Sequence, residues 1–217
     1  MIDTLSLMLA LRARLATLSV ASCSGVNLGA SGYAFTRSSG SFITDGFSVG
    51  MEVTPSGFAS STPCVVTGVT ASTLTTDTAL TTETSASGRT LTVGLPSRCA
   101  WENIAFEPTT GTPWLEEQYI PGPSRQMTVG PLGLLELRPL YSLRIHTPED
   151  VGVGAAVRYA DALLELFTPR TAISFGSEVA RVRTDTGPYR GQLLNLQPGY
   201  ATVPVTFPLE IRVANTI

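Results

Sequence analysis

The chain has no lysine; all fourteen of its basic residues are arginine. A Walker-type phosphate loop needs a lysine, so that chemistry is excluded, and Gly152-Val153-Gly154 also lacks the third glycine of a dinucleotide fingerprint. His146 is the only histidine, which leaves little material for acid–base or triad catalysis. Cys23, Cys64 and Cys99 are an odd number without paired spacing. They point away from a zinc site or a disulfide framework and toward reduced thiols. Charged residues make up only 14% of the chain and the net charge is −3. No basic run is present to hold nucleic acid electrostatically. So low a charge fits either a surface covered by other chains or a Ser/Thr-rich β surface. No apolar run is long enough to cross a membrane. Leu18 to Cys23 has the look of a lipoprotein cleavage box, but Asp3 precedes it and Arg12 and Arg14 interrupt the apolar run, so export is not expected.

What is present is β patterning around one clear helix. From Leu134 to His146 the residues alternate, with Leu135, Leu137, Tyr141, Leu143 and Ile145 on one face and Glu136, Arg138, Ser142, Arg144 and His146 on the other. Thr147-Pro148-Glu149-Asp150 then reads as a helix start, with Thr147 as cap and Pro148 at the first helical position. The helix should bury Ala156, Ala160, Leu163, Leu164 and Phe167 and expose Arg158, Asp161 and Glu165, with Pro169 closing it.

Residues 3 to 20 read as another helix, with an apolar stripe of Leu5, Met8, Leu9, Leu11, Leu15 and Leu18. Ser, Thr and Gly dominate from residue 22 to 98, where five short strands are expected at 33–36, 48–54, 64–70, 74–76 and 90–93. Turns are expected at Asp45-Gly46, Ser56-Gly57 and Ser87-Gly88. Trp101 to Phe106 and Trp114 to Ile120 suggest a hairpin, and residues 121–133 a Pro/Gly-rich projecting arm. Ala180 to Asp185 alternates. Thr202 to Val213 is the longest strand, with Val203, Val205, Phe207, Leu209, Ile211 and Val213 on one face. Pro204 and Pro208 withhold donors toward the same neighbour, which implies a poorly paired edge open to another subunit.

The fold expected is α+β: an antiparallel sheet flanked by an N-terminal helix and a capped central helix, built from residues 1–20 and 99–217. Residues 21–98 form an inserted small all-β barrel or sandwich. Adjacent Glu116 and Glu117 on a strand point to opposite faces and make no paired-carboxylate site unless one meets Glu102 or Glu107. No serine sits in a nucleophile elbow, and an enzyme is not expected.

Trp101-Glu102-Asn103-Ile104-Ala105-Phe106-Glu107-Pro108, followed by Gly111-Thr112-Pro113-Trp114-Leu115, resembles the tail-terminator (tail-completion) family of long-tailed, siphovirus-like phages. The order of helix, hairpin, long strand, capped helix and terminal strands is also similar. The resemblance covers 1–20 and 99–217, and the insertion departs from it. It implies a virion protein at the tail–neck junction, assembled in the host cytoplasm, whose copies form a ring, usually a hexamer. Such a ring caps the tail tube, ends its polymerisation and offers the face for head attachment. Its partners would be its own copies, the tail tube protein and a neck or head-completion protein. DNA would pass through the lumen without sequence-specific binding, and no cofactor is implied. Glu116, Glu117, Arg125, Gln126 and Met127 are the candidate subunit or tube contacts. Two other readings are kept: a neck or head-closure connector, and a binding module whose inserted β domain recognises a sugar or host surface, with Tyr33 and Phe35 as its candidate aromatics.

Overall fold

The computed structural model of the protein describes residues 3–128 and 133–214. Helix α1 (Thr4–Leu15) starts where the Asp3 carboxylate accepts the amide of Ser6 at 3.1 Å. It stops short of residue 20: the Thr17 hydroxyl bonds the Arg14 carbonyl, and the Val20 amide already donates to Val93 at 2.8 Å. The buried stripe is Leu7, Met8, Leu11 and Leu15, so the helix is rotated from the expected docking. Leu5 and Leu9 are 68% and 55% exposed.

Eight strands follow: β1 (Ala21–Cys23), β2 (Leu28–Ser31), β3 (Ala34–Arg37), β4 (Glu52–Ser56), β5 (Cys64–Val69), β6 (Thr73–Thr76), β7 (Glu83–Ala86) and β8 (Thr90–Val93). They pair antiparallel in the order β1-β8-β4-β5-β6-β3-β2-β7. The path is open at β1 and β7, so no closed barrel forms. Of the expected five strands all are present. The three unforeseen ones, β1, β2 and β7, are three- or four-residue segments of mostly small side chains, too short to stand out as a pattern. Phe35, Phe42, Phe47, Met51 and Leu74 fill the interior, and Phe35 meets Phe58 edge-on at 5.0 Å.

The second sheet comprises β9 (Cys99–Ala100), β10 (Trp114–Ile120), β11 (Ser124–Gln126), β12 (Leu134–Leu137), β13 (Leu140–Pro148), β14 (Ala172–Phe175), β15 (Glu178–Val182), β16 (Tyr189–Arg190), β17 (Leu194–Gln197) and β18 (Tyr200–Ala214). Strands β12 and β13 hold one unbroken register on β18, from Leu134↔Ala214 to Pro148↔Tyr200, interrupted only at Arg138-Pro139. The alternating run read from the sequence is thus one long strand with a kink. Across it, β10 and β11 run as a second long strand, shifted by one residue where Pro121-Gly122-Pro123 passes the kink.

Three expectations fail here. First, β18 has no open edge. Strands β13 and β12 lie on one side, and β17, β16 and β15 on the other. The carbonyls of Pro204 and Pro208 accept from Gly191 (2.8 Å) and Arg183 (2.9 Å) on that second side. The prolines do face one neighbour, but that neighbour is three short segments instead of an edge. Second, residues 101–106 form no strand. Asn103 has φ +61°, and β9 pairs β10 in parallel, so no hairpin exists. Trp101 lies under the Arg12 guanidinium (4.7 Å) and Phe106 against Trp114 (4.9 Å), which draws the segment out as a covering loop. Third, Thr147 caps nothing. It is buried in β13, its hydroxyl near the Ala201 carbonyl, and pairing with β18 carries the strand through Pro148. Helix α2 (Gly154–Leu166) begins only after a turn through Asp150 (φ +64°) and Gly152 (φ +80°), with Val153 as an N-cap that makes no side-chain bond.

Helix α2 buries Ala155, Ala156, Tyr159, Ala160 and Leu163 against β13 and β18; Leu164 is half-buried and Phe167, its C-cap, is buried. Its C-terminal carbonyl at Leu166 accepts two bonds from Arg14 of α1, at 2.9 and 2.7 Å, a cation at the negative end of the helix. The first sheet packs on the other end. The Tyr159 hydroxyl accepts from the Glu52 amide, and the Glu52 carboxylate takes the amide and hydroxyl of Ser97 at 2.6 Å each. One apolar cluster runs through both sheets and both helices.

Candidate assembly surface

Because β10 alternates, Glu116 and Glu117 face opposite ways. Glu117 points under α1 and is 3% exposed. Its Oε2 takes Nε and Nη2 of Arg12 at 2.8 and 2.6 Å, and its Oε1 takes the Tyr141 hydroxyl at 2.8 Å. The guanidinium is held charged, its pKa raised by these bonds, and burial pushes the Tyr141 phenol well above its usual value. A carboxylate held this way is not a surface contact, and Glu117 leaves the candidate set.

Glu116 lies on the opposite face, half-buried. Arg144 donates to it at 2.8 Å and to Gln118 at 3.3 Å. Next in the row is His146, stacked on Trp114 at 3.6 Å with the rings parallel. Burial lowers its pKa from 6.5 to about 4, against the opposing pull of Glu116. The ring is therefore neutral, and its 3.4 Å contact with Glu116 is a hydrogen bond, not an ion pair. The network assigns the proton: Nε2–H donates to the carboxylate and Nδ1 accepts from the Thr202 hydroxyl at 2.9 Å. Gln118, Arg144 and Glu116 form a polar ladder across β10 and β13.

Arg125, Gln126 and Met127 are all exposed, on or just past β11. The arm is less irregular than its composition suggests, since β11 and β12 extend the two long strands beyond the kink. Residues 129–132 of the expected arm lie outside the described residues. At the base, a Cβ on Gly122 would sit 1.8 Å from the Arg138 carbonyl oxygen, so only glycine lets the strands pass. Gly122→Ala should cost about 1–3 kcal/mol in denaturant unfolding and loosen β11 from β12, read as faster amide exchange at Arg125 and Met127.

A groove of about 450 Å³ lies beside this kink, lined by Thr4 and Met8 of α1 with Glu102, Tyr119, Pro121, Gly122, Leu137 and Pro139. The Glu102 carboxylate accepts the Tyr119 amide at 3.2 Å. Exposed Leu5 and Leu9 lie on the same helix. Sequence reasoning missed this apolar site because its lining comes from four separated stretches of the chain.

Among the described residues no cluster of three His, Cys, Asp or Glu could hold a metal ion. The three thiols are free, and burial pushes Cys64 up to about 11 and Cys99 up to about 12, which leaves them protonated at neutral pH. No helix in the described residues is long and apolar enough to cross a membrane. Of the two aromatics weighed for ligand recognition, Tyr33 is exposed and Phe35 is core, so they form no shared platform.

A sequence profile described as phage tail terminator protein matches residues 79–208, from just before β7 through most of β18. One solved structure aligns at 24% identity over 54% of this chain and 79% of its own, with a TM-score of 0.43. No curated protein matches.

Proposed function

Since this chain belongs to the phage tail terminator family, a family of structural, tail-related virion proteins, we propose that its copies close into a ring, usually a hexamer, that caps the finished tail tube. The ring stops tube polymerisation, presents the face to which the filled head attaches, and lets DNA pass through its lumen without sequence-specific binding. The family match over the second sheet and α2 carries this reading. A closed ring needs two different surfaces on each copy that meet head to tail. The arm with Arg125, Gln126 and Met127 supports it as one such surface, and the polar ladder of Glu116, Arg144 and Gln118 offers a separate face for the tail tube. The role is mechanical and involves no catalysis. Residues 21–98 form an inserted β-rich unit beside this core.

Native mass measurement is the direct check: a single closed species near a hexamer is expected, and a strict monomer at every concentration and in the presence of tube protein would sink the reading. Deleting Ser124 to Thr128 should leave a folded monomer that no longer forms rings. Rings of unchanged mass after that deletion would remove the arm from the interface.

A further inference from the structure

The groove beside the kink and the arm beyond it are unlike surfaces on one chain, and they match. The groove is apolar on its floor, through Met8, Tyr119, Leu137 and Pro139, with one acid, Glu102, at its wall. Glu102 is exposed and forms no ion pair among the described residues. The arm carries the complement. Arg125 is exposed and likewise lacks an ion pair among the described residues, and Met127 is 44% exposed. Two residues apart on an extended chain, they project to the same side, so a single surface can take both. Within one chain they cannot use their own groove. Met127 lies five residues past Gly122, about 16 Å along a strand that leads away from the groove.

We infer that the groove receives the arm of a neighbouring copy, with the partner's Met127 filling the apolar floor and the partner's Arg125 meeting Glu102. Each copy offers one groove and one arm, so every contact is head to tail and a closed set leaves none unfilled. This rests on the ring reading and names the surfaces that close it.

The test is a charge exchange in the full chain, with self-association followed by light scattering. Arg125→Glu and Glu102→Arg each place like charges together and should weaken association by at least about tenfold. The double variant restores the pair and should return to within about threefold of the parent. Met127→Asp should weaken association without rescue by either charge change. Thr4→Cys combined with Met127→Cys, treated with a short bismaleimide, should give an interchain ladder that neither single variant gives. Parent-like association of all the charge variants, or a cross-link found only within single chains, overturns the inference and leaves the ring reading standing. Intact rings that no longer arrest tube growth would assign the groove to the tube protein, which also overturns it. A parent that never associates defeats the ring reading first.

Discussion

Replacing Arg12 with methionine should lower the stability of the protein by about 3 kcal/mol. The Glu117 carboxylate lies under α1 with no exposed side-chain surface, and Arg12 supplies its countercharge and two of its three hydrogen bonds. Removing the guanidinium strands a buried anion with only the Tyr141 hydroxyl. The expectation sits at the lower end of the range for broken buried pairs because Arg12 itself is one-quarter exposed. The triple variant Arg12→Met, Glu117→Met, Tyr141→Phe removes every polar partner together and should recover most of the loss, since apolar groups of similar volume can replace such a set. Denaturant unfolding of both variants decides it. A loss under about 1 kcal/mol in Arg12→Met would mean that Glu117 does not depend on this partner.

The second large effect is a pH dependence set by His146. Burial lowers its folded pKa to about 4, against 6.5 for the free side chain. Above pH 6.5 the ring is neutral in both states and contributes nothing to the slope. Between 6.5 and about 4 the unfolded chain takes up a proton that the folded chain refuses, so stability falls as pH falls. The full difference approaches about 3 kcal/mol. Carboxylates also titrate in the lower half of this window, so the measurement is a difference: stability against pH for the parent minus that for His146→Gln. That difference should slope between pH 6.5 and 4 and flatten above. A flat difference throughout would mean that the stacked imidazole protonates as readily folded as unfolded.

The parts of this fold that could be read from sequence are those whose pattern is local and long. Leu134 to His146 and Thr202 to Val213 each alternate over six or more residues, and both became strands of the same sheet, paired with each other. The face of α2 was legible for the same reason. What failed depended on partners far away in the chain. Thr147-Pro148 carries every local mark of a helix start, yet Ala201 and Tyr200 hold it in the sheet. Glu117 looks like half of a solvated pair until Arg12, 105 residues earlier, is placed over it. Trp101 to Phe106 has strand-like residues, but its two aromatics are drawn to Arg12 and Trp114. Strands β1, β2 and β7 are too short and too small-sided for a pattern to be read. At the candidate site, Arg125, Gln126 and Met127 were legible as an exposed arm. The groove was not, because it forms where α1, the loop at Glu102 and the Pro121-Gly122-Pro123 kink meet, and no local pattern reveals that meeting.

The burial of β18 has a consequence for a molecule made in many copies. The longest strands are the ones most able to seed endless stacking of sheets, and here the two longest, β13 and β18, lie inside with strands on both sides. The borders left over are β9 and β16 with two residues each, β1 and β11 with three each, β7, β14 and β17 with four each, and the last four residues of β10, which β9 does not reach. Such stubs can greet a neighbour but give too little backbone to template a fibril. A subunit proposed to halt a growing polymer is thereby kept from starting one.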